Sequence, residues 1–508
     1  MRLRHPKIST QASVRLRLKP LASAIALLMV AGSAQAAPAA FSAGWLAAKG
    51  AAQQQSGAMP GAGGGMQLPG TPPPLAQQAK VNQQLQHSLA NMNNTVAAIA
   101  AQQAAQAAGR SAALARPQTI PDGMGEGGLQ IDGSIPFEQA WQNAKGPVQT
   151  EQGGKVHVGI EQTADKAILN WETFNVGRNT TVEFQQQADW AVLNRVNDPN
   201  ARPSEIQGQI KADGTVMIAN TNGVVFTGSS QVNVRNLATA AANISDAQFT
   251  NNGLYGTNNT ATFTGAAGSV TVEQGAQITT AESANSTTGG GYVLLLGKDV
   301  DNAGSITTAN GQTLLAGGDS FIIKKGQGTG GNLASTTRGN EVTAAGSGSV
   351  TNSGLIQSAT GDITLTGNQI TQAGVALAST SVHNRGTVHL KATGAGGSVT
   401  LAEGATTAIL LEESDATALD GQRDGLQAPA VDNTERNIVP GDKYRRDLSL
   451  VKITSTGTVD FQAGSTTIAT GGQVAVDAAS RTLVRDGATI DVSGATGVKV
   501  AMENNTVK

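Results

Sequence analysis

The sequence predicts an all-β fold of the β-solenoid type, in which short parallel strands stack as the coils of a rod. Glycine is abundant, with 63 among 508 residues, while aromatic residues make up only 3%, so small side chains must fill a narrow interior. From about Ile131 onward, short runs of Val, Ile, Leu and Thr alternate with Gly and Asn, which is typical of strands separated by turns. A strand–turn unit also recurs along this region, and an internal repeat indicates a stacked architecture.

The recurring unit is a corner followed by a strand. It is found at Asn302–Ile306, Asn352–Ile356, Asn384–Val388 and Ser455–Val459. Asn or Gly can adopt the left-handed conformation that a tight corner needs, and alternating residues of the strand point into and out of the rod. At roughly 20 to 25 residues a coil, the region predicts about 15 to 19 coils, and segments that leave the rod would lower that number. The alternative, an antiparallel β-sandwich, would show more hairpin dipeptides and more aromatic core positions.

Residues 1–36 have the organisation of a cleaved secretory signal peptide. Six Lys or Arg residues lie within residues 1–20, and an apolar run follows at Leu21–Ala31. Small residues at Ala34 and Ala36 place the predicted cleavage between Ala36 and Ala37. A transmembrane anchor is the alternative, but it needs about 20 apolar residues, and this run is about half as long. The sequence therefore predicts export by the general secretion machinery.

Residues 37–121 form a low-complexity segment rich in Ala, Gln, Gly and Pro, with no acidic residue before Asp122. Within it, a helix is predicted over 75–108. Apolar residues at alternating spacings of four and three form a heptad seam on that helix: Leu85, Leu89, Met92, Val96 and Ile99. Two heptads are too few to predict a coiled coil, so a marginal isolated helix is the favoured interpretation. Whether this segment assists recognition or is a passive spacer stays open.

Two segments interrupt the strand pattern of the predicted rod, which spans residues 250–508. Residues 326–346 are rich in glycine and polar residues, and residues 412–447 carry a dense run of charge around Pro429 and Pro440. Both are predicted to be loops that leave the solenoid. Function on a rigid scaffold commonly lies on such loops, although solvated loops without a function are the favoured interpretation.

Composition and motif searches exclude several classes of chemistry. The chain has no Cys and only five His, which excludes disulfide scaffolds, thiol catalysis and thiolate zinc sites. No phosphate-binding, zinc-protease or nucleophile-elbow motif is present. The formal net charge is −2, and no basic, aromatic-interleaved stretch points to nucleic acid. The sequence therefore predicts no catalytic, cofactor-binding or metal-binding residue. A polysaccharide-active β-helix, which needs carboxylates converging from neighbouring coils, is a minor alternative.

The segment 131–249 carries a dense, ordered set of motifs. They are Ile168–Gly177, Val192–Val196, Ser204–Val216, Ile218–Phe226 and Gln231–Ala238. The first two motifs contain the positions predicted to define the domain: Asn170, Trp171, Phe174, Asn175, Gly177, Asn194 and Arg195. This set resembles the amino-terminal secretion domain of filamentous haemagglutinin-like two-partner-secretion exoproteins. Beyond residue 249 the chain resembles only the haemagglutinin-type repeat rod of that family.

The resemblance implies a fold, a route and a partner. The expected fold is a right-handed parallel β-helix. The expected route leads to the periplasm and then across the outer membrane, where the POTRA domains of a dedicated β-barrel transporter recognise the secretion domain. The lack of Cys agrees with this route, because a disulfide formed in the periplasm would block threading.

The function expected from the resemblance is that of a secreted or surface-exposed, non-enzymatic adhesin without a cofactor. Its further partners would be glycans or proteins on host or neighbouring cells. The alternative is the amino-terminal part of a haemolysin or of a contact-dependent inhibition toxin. A last strand pattern ends near Val500 without a capping segment, so a truncated member of a longer protein is expected.

One position departs from the family pattern. The second Asn-rich turn usually reads Asn-Pro-Asn-Gly, whereas this chain has Asn220, Thr221, Asn222 and Gly223. Thr lacks the ring that fixes φ near −65° in Pro, but Asn and Gly still favour a turn. The resemblance implies that the transporter reads this turn at Asn220, Asn222 and Gly223. A purely structural corner is the competing interpretation.

Overall fold

The computed structural model describes residues 41–42, 75–257, 260–282, 290–326, 339–380, 386–412 and 449–494. Its helices are α1 (Leu75–Ala115), α2 (Phe137–Ala140) and α3 (Asp246–Asn252). In chain order, the first strands are β1 (Leu129–Ile131), β2 (Trp141–Gln142), β3 (Val148–Gln152), β4 (Lys155–Glu161), β5 (Lys166–Phe174), β6 (Thr180–Gln185), β7 (Ala191–Val196), β8 (Ser204–Ile206), β9 (Gln209–Ala219), β10 (Val224–Phe226) and β11 (Gln231–Ala240).

The strands that follow build the remainder of the rod. They are β12 (Val270–Val272), β13 (Gln277–Thr280), β14 (Tyr292–Gly297), β15 (Asp299–Asn302), β16 (Ser305–Thr307), β17 (Gln312–Gly317), β18 (Ser320–Lys325), β19 (Asn340–Ala345), β20 (Ser349–Asn352), β21 (Leu355–Ser358), β22 (Asp362–Gly367), β23 (Gln369–Gln372), β24 (Val375–Thr380), β25 (Thr387–Ala392), β26 (Ser398–Leu401), β27 (Thr406–Leu411), β28 (Leu450–Ser455), β29 (Thr458–Phe461), β30 (Thr466–Ala469), β31 (Gln473–Ala478), β32 (Arg481–Val484) and β33 (Thr489–Asp491).

These strands stack in three parallel faces, so the predicted all-β parallel solenoid is confirmed. The first face runs β8–β10–β12–β15–β20–β23–β26–β29–β32. The second face runs from β4 through β6, β9, β11, β13, β16, β21, β24, β27 and β30 to β33. The third runs from β5 through β7, β9, β11, β14, β17, β22, β25 and β28 to β31. Strands β9 and β11 are long enough to contribute to two faces.

Residues of one type align from coil to coil inside the rod. One inward row of the second face is paired in register as Ile210, Val232, Ile278, Ile306 and Ile356, and all five side chains are buried. At a corner, buried amides form a second ladder: Asn302 donates to Asn352 and Asn352 donates to Gln372, each over 2.8 Å. Because each coil cannot bury its own apolar face, this stacking supplies the core.

The amino-terminal end of the rod is closed by antiparallel strands. Strands β1 and β2 pair antiparallel with β5, and β3 pairs antiparallel with β4. Helix α2 precedes β2 and packs with it against β5. Such a cap covers the apolar row and the strand edge that a solenoid otherwise exposes at its first coil.

Several predicted elements differ from the structure. Helix α1 continues past residue 108 to Ala115, and it packs on the rod instead of standing alone. Helix α3 was not predicted. Part of the predicted loop 326–346 is strand β19, which pairs antiparallel with β18. Alternating buried residues explain that hairpin, because Phe321, Ile323, Val342 and Ala344 pack on the outer side of the third face.

The predicted coil number was too high. The first face contains nine strands among the described residues, because α3 and the β18–β19 hairpin lengthen individual coils. The signal peptide with Ala36 and Ala37 lies outside the described residues, as does the predicted loop 412–447 apart from Glu412. No helix within the described ranges combines the length and apolarity that crossing a membrane requires.

Candidate functional site

An aromatic cluster lies where the cap meets the first coils. Trp171 and Phe174 on β5 are fully buried, and their rings meet edge to face with centroids 5.2 Å apart. Trp141 from β2 packs against Trp171 in the same manner at 4.9 Å. The indole N–H of Trp171 donates to Asn194 Oδ1 over 3.0 Å, and Asn194 donates onward to the carbonyl of Met217 over 3.1 Å. Trp171 and Asn194 therefore tie together strands β5, β7 and β9 of the third face.

A polar clamp beside this cluster centres on Arg195. Its guanidinium contacts Asp246 on α3 at 2.5 Å and donates to the carbonyl of Ile244 over 2.9 Å. It also donates to Asn170 Oδ1 over 3.3 Å, while Asn170 donates to the carbonyl of Ala140 over 3.2 Å. This bonding leaves the Arg195 side chain 18% exposed. Asn170 and Arg195 thus join the cap to the segment that carries α3.

The corner after β5 contains the next two motif residues. Asn175 is almost buried; its amide donates to the carbonyl of Gly127 over 3.0 Å, and its Oδ1 accepts the backbone N–H of Glu205 over 2.8 Å. At Gly177, an added Cβ would lie 2.4 Å from Asp122 Oδ1. Only a residue without a side chain can therefore lie so close to Asp122, which explains the glycine.

Asp122 connects the segment that follows α1 to this corner. Its Oδ1 accepts the backbone N–H of Asn179 over 2.8 Å, and its Oδ2 accepts the side-chain amide of Asn179 over 3.1 Å. Thr180 also donates to it over 3.2 Å. Burial acts to raise the pKa of Asp122, but hydrogen bonds from Gln118, Asn179 and Thr180 outweigh it, so the pKa lies below its ordinary value.

The Asn-rich turn is a four-residue turn between β9 and β10. The carbonyl of Asn220 accepts the N–H of Gly223 over 3.0 Å, and its side-chain Oδ1 accepts the N–H of Asn222 over 3.0 Å. Asn220 is 1% exposed, and its amide also donates to Ser204 Oγ over 3.0 Å. Gly223 has φ +117°, and a Cβ there would lie 2.8 Å from the carbonyl oxygen of Ser269. Asn220 and Gly223 therefore both serve the turn itself.

Asn222 differs from the other residues of the turn. It is partly exposed, and within the described part of the chain its side chain makes no hydrogen bond. The turn is separate from the aromatic cluster and the polar clamp, because its contacts run to Arg202, Ser204 and Ser269. The predicted site residues thus lie in three places: the aromatic cluster with its polar clamp, the corner after β5, and the Asn-rich turn.

Sequence reasoning missed Trp141, Asp122 and Asp246, which complete these contacts. The scarcity of Trp, with four in the chain, was the signal that could have singled out Trp141. An open cleft of about 890 Å³ lies beside the polar clamp, lined by Ile135, Phe137, Glu138, Gln139, Trp141, Gln142, Asn143, Ala144, Asn170, Arg195 and Asp246. Across the described ranges, no three His, Asp or Glu residues are grouped so that they could bind a metal ion.

The chain is similar to several known proteins. Two proteins of Haemophilus influenzae, both named heme/hemopexin-binding protein, are 38% identical over 102 residues and 40% identical over 79 residues. These alignments cover 20% and 15% of this chain but only 11% and 8% of the relatives, so the matched part is about a tenth of their length. The crystal structure of the HMW1 secretion domain from Haemophilus influenzae aligns over 70% of this chain and 84% of that chain, with a TM-score of 0.47 and 18% identity.

The family itself follows from a model of the TPS secretion domain, where TPS denotes two-partner secretion. It matches residues 132–405, more than half of the 508-residue chain. The match continues past residue 249, where the motifs predicted the domain to end. Its members are secreted or cell-surface exoproteins that work with a dedicated outer-membrane transporter. The predicted membership is confirmed: this chain belongs to the family of two-partner-secretion exoproteins.

Proposed function

We propose that this exoprotein is an adhesin that leaves the cell in two steps. A signal peptide cleaved between Ala36 and Ala37 directs it through the general secretion machinery, and the POTRA domains of its transporter then bind the secretion domain. The match of the family model to residues 132–405 is the observation that supports this route. The proposal includes no enzymatic activity and no cofactor, because the family consists of exoprotein secretion domains.

The adhesin role is supported by the shape of the rod. Its three faces are paired from coil to coil, and two excursions, helix α3 and the β18–β19 hairpin, pack on the outer side of the third face. A rigid scaffold that presents surface segments is suited to binding other molecules. The partners we propose are glycans or proteins on host or neighbouring cells. Delivery of a haemolysin or of a contact-dependent inhibition toxin is the competing function.

Within the Asn-rich turn, we assign the recognition role to Asn222. The side chain of Asn220 is already hydrogen-bonded within the turn region: it accepts the N–H of Asn222 and donates to Ser204 Oγ. Gly223 contributes only backbone. Asn222 presents an amide that is partly exposed and has its donors and acceptor available. A transporter domain can therefore bind Asn222 without disturbing the corner.

The test is secretion from cells that co-express the transporter, with melting temperatures of the purified full-length variants measured in parallel. Asn220→Ala should lower both, because it removes buried hydrogen bonds worth about 1–3 kcal/mol. Asn222→Ala should lower secretion at least severalfold while melting like the wild type. Asn233→Ala, at an exposed position on β11, is the matched control and should change neither. Normal secretion of Asn222→Ala would refute the recognition role.

The adhesin role is tested separately, with the purified chain immobilised on beads. Saturable binding to epithelial or bacterial cells is expected, and pretreatment of those cells with glycosidase or protease identifies the class of receptor. Binding no greater than that of albumin-coated beads would contradict the role. Cell lysis or growth arrest by the soluble chain would instead favour toxin delivery, and depolymerisation of a polysaccharide would favour an enzyme.

A further inference from the structure

Helix α1 lies along the second face of the rod, next to the corners that join it to the first face. It contacts β21, β24, β27 and β33, and its direction is opposite to the order of the coils. A helix advances about 5.4 Å a turn, and stacked strands are about 4.8 Å apart. One helical turn therefore nearly matches one coil, so side chains repeated on one side of α1 can contact one coil after another.

In the carboxyl-terminal half of α1, polar side chains one helical turn apart contact successive coils. Three of them, spaced four residues apart, donate to backbone carbonyls of three successive corners: Gln102 to Ser353 over 2.7 Å, Gln106 to Ala303 over 2.8 Å and Arg110 to Gly275 over 3.4 Å. Each accepting residue lies two positions before its strand, β21, β16 or β13. The helix thus bonds to equivalent points of the repeated corner.

The helix and the rod come close together at two glycines. At Gly109 of α1, an added Cβ would lie 2.6 Å from Gln274 Cγ and 2.9 Å from the backbone of Gln274. At Gly275, whose φ is +98°, an added Cβ would lie 2.3 Å from the backbone N of Arg110. Gly275 also donates its N–H to Gln106 Oε1 over 2.8 Å. Any side chain at Gly109 would therefore separate the two backbones.

Apolar side chains make the contact in the middle of α1. Met92 and Ile99 are buried, and Val96 is partly buried. They cover outward-facing residues of the second face, together with Phe41: Leu355, Val375, Leu377, Ala408, Leu410 and Ile468. Beyond them, Asn91 donates to Asp491 on β33 over 2.9 Å. Three residues of the predicted heptad seam, Met92, Val96 and Ile99, therefore pack against the rod; the side chain of Leu85 lies outside the described residues.

We propose that α1 is a strap that couples the last described coils to the secretion domain. It is bound to β33 through Asn91, and after its carboxyl end the chain continues into the segment that Asp122 fixes to the corner after β5. In a solenoid each coil touches only its neighbours, so distant coils can open independently. A helix bonded to several coils removes that independence. This inference concerns the folded rod and does not depend on the proposed transporter or adhesin role.

Hydrogen exchange of the full-length chain, followed by mass spectrometry, tests the coupling. Gly109→Leu should displace α1, although Leu favours a helix more than Gly does. Amides of α1, β30 and β33 should then exchange at least tenfold faster, while β4 to β7 remain unchanged. Ala108→Leu, at the neighbouring exposed position, should behave as the wild type. The proposal is wrong if α1 loses protection while β30 and β33 keep theirs, or if both variants act alike.

A second measurement avoids a disruptive variant. Because the chain has no Cys, a single thiol introduced at Ile99 or at exposed Ala100 reports specifically on α1. Ile99→Cys should react with a thiol reagent at least 100-fold more slowly than Ala100→Cys. As urea is raised, Ile99→Cys should lose its protection at the concentration at which the amides of β33 lose theirs. Equal reactivity of the two thiols, or clearly separate transitions, would overturn the proposal.

Discussion

Replacement of Trp171 should separate the contribution of its ring from that of its indole N–H. The side chain is fully buried and packs edge to face on Trp141 and Phe174. Trp171→Ala leaves a large cavity and should cost about 3–5 kcal/mol. Trp171→Phe keeps an aromatic ring but leaves Asn194 Oδ1 without its donor, which should cost about 1–3 kcal/mol. The order wild type, Phe variant, Ala variant is therefore expected for stability.

The assay is urea unfolding of the purified full-length chain, followed by far-ultraviolet circular dichroism. Amide exchange in β5 and β7 should be measured alongside, because a repeat rod need not unfold in a single step. Trp190→Phe is the matched control: its side chain is partly exposed, and it should cost less than about 0.5 kcal/mol. If Trp171→Ala unfolds within about 0.5 kcal/mol of the wild type, the aromatic cluster does not anchor the first coils.

Two further substitutions test local features. Thr221→Pro should be neutral or stabilise the protein by up to about 1 kcal/mol in thermal melts. Thr221 is the second residue of the turn closed by Asn220 and Gly223, a position at which Pro is favoured. A clear loss of stability would show that φ at Thr221 does not suit Pro. Asp122→Asn should lower the melting temperature at neutral pH. The folded-state pKa of Asp122 is depressed, so the difference in melting temperature between variant and wild type should be fully present above the unfolded pKa of about 3.9. It should vanish as the pH falls through the folded pKa. A difference in melting temperature that does not depend on pH would contradict this.

Local sequence information was sufficient to predict that the chain forms coils of short strands joined by tight corners. The Asn-x-Gly units at Asn302 and Asn352 predicted corners, and these two side chains form part of a buried amide ladder. The same information could not give the coil number, because nothing in a single strand reveals whether a following segment such as α3 continues the rod or leaves it. The β18–β19 hairpin was missed for a related reason: glycine-rich sequence around residues 326–346 concealed the alternation at Val342 and Ala344.

The candidate site likewise has features that the sequence could predict and features that it could not. The motif residues on β5 and β7 could be predicted, but their partners could not, since Arg195 contacts Asp246 on a helix that has no strong local signal. The docking of α1 was still harder to predict, because Asn91 and Asp491 are 400 residues apart in sequence. One signal was available in the strands beneath α1. Apolar residues occupy both faces of β24 and β27, as in Val375–Ala378 and Ala408–Leu411, and an outer apolar face of a solenoid needs a cover.

The composition of α1 provides little electrostatic stabilisation within the helix itself. Between Gln83 and Gly109 it carries no acidic or basic residue apart from His87, so side-chain ion pairs cannot stabilise it in isolation. Its binding surface consists of corners and outward side chains contributed by coils that follow it in the sequence, and this surface exists only when neighbouring coils are stacked. Helix α1 can therefore pack on the rod only after those coils have formed. The contribution of α1 to stability is therefore expected only once these coils are stacked.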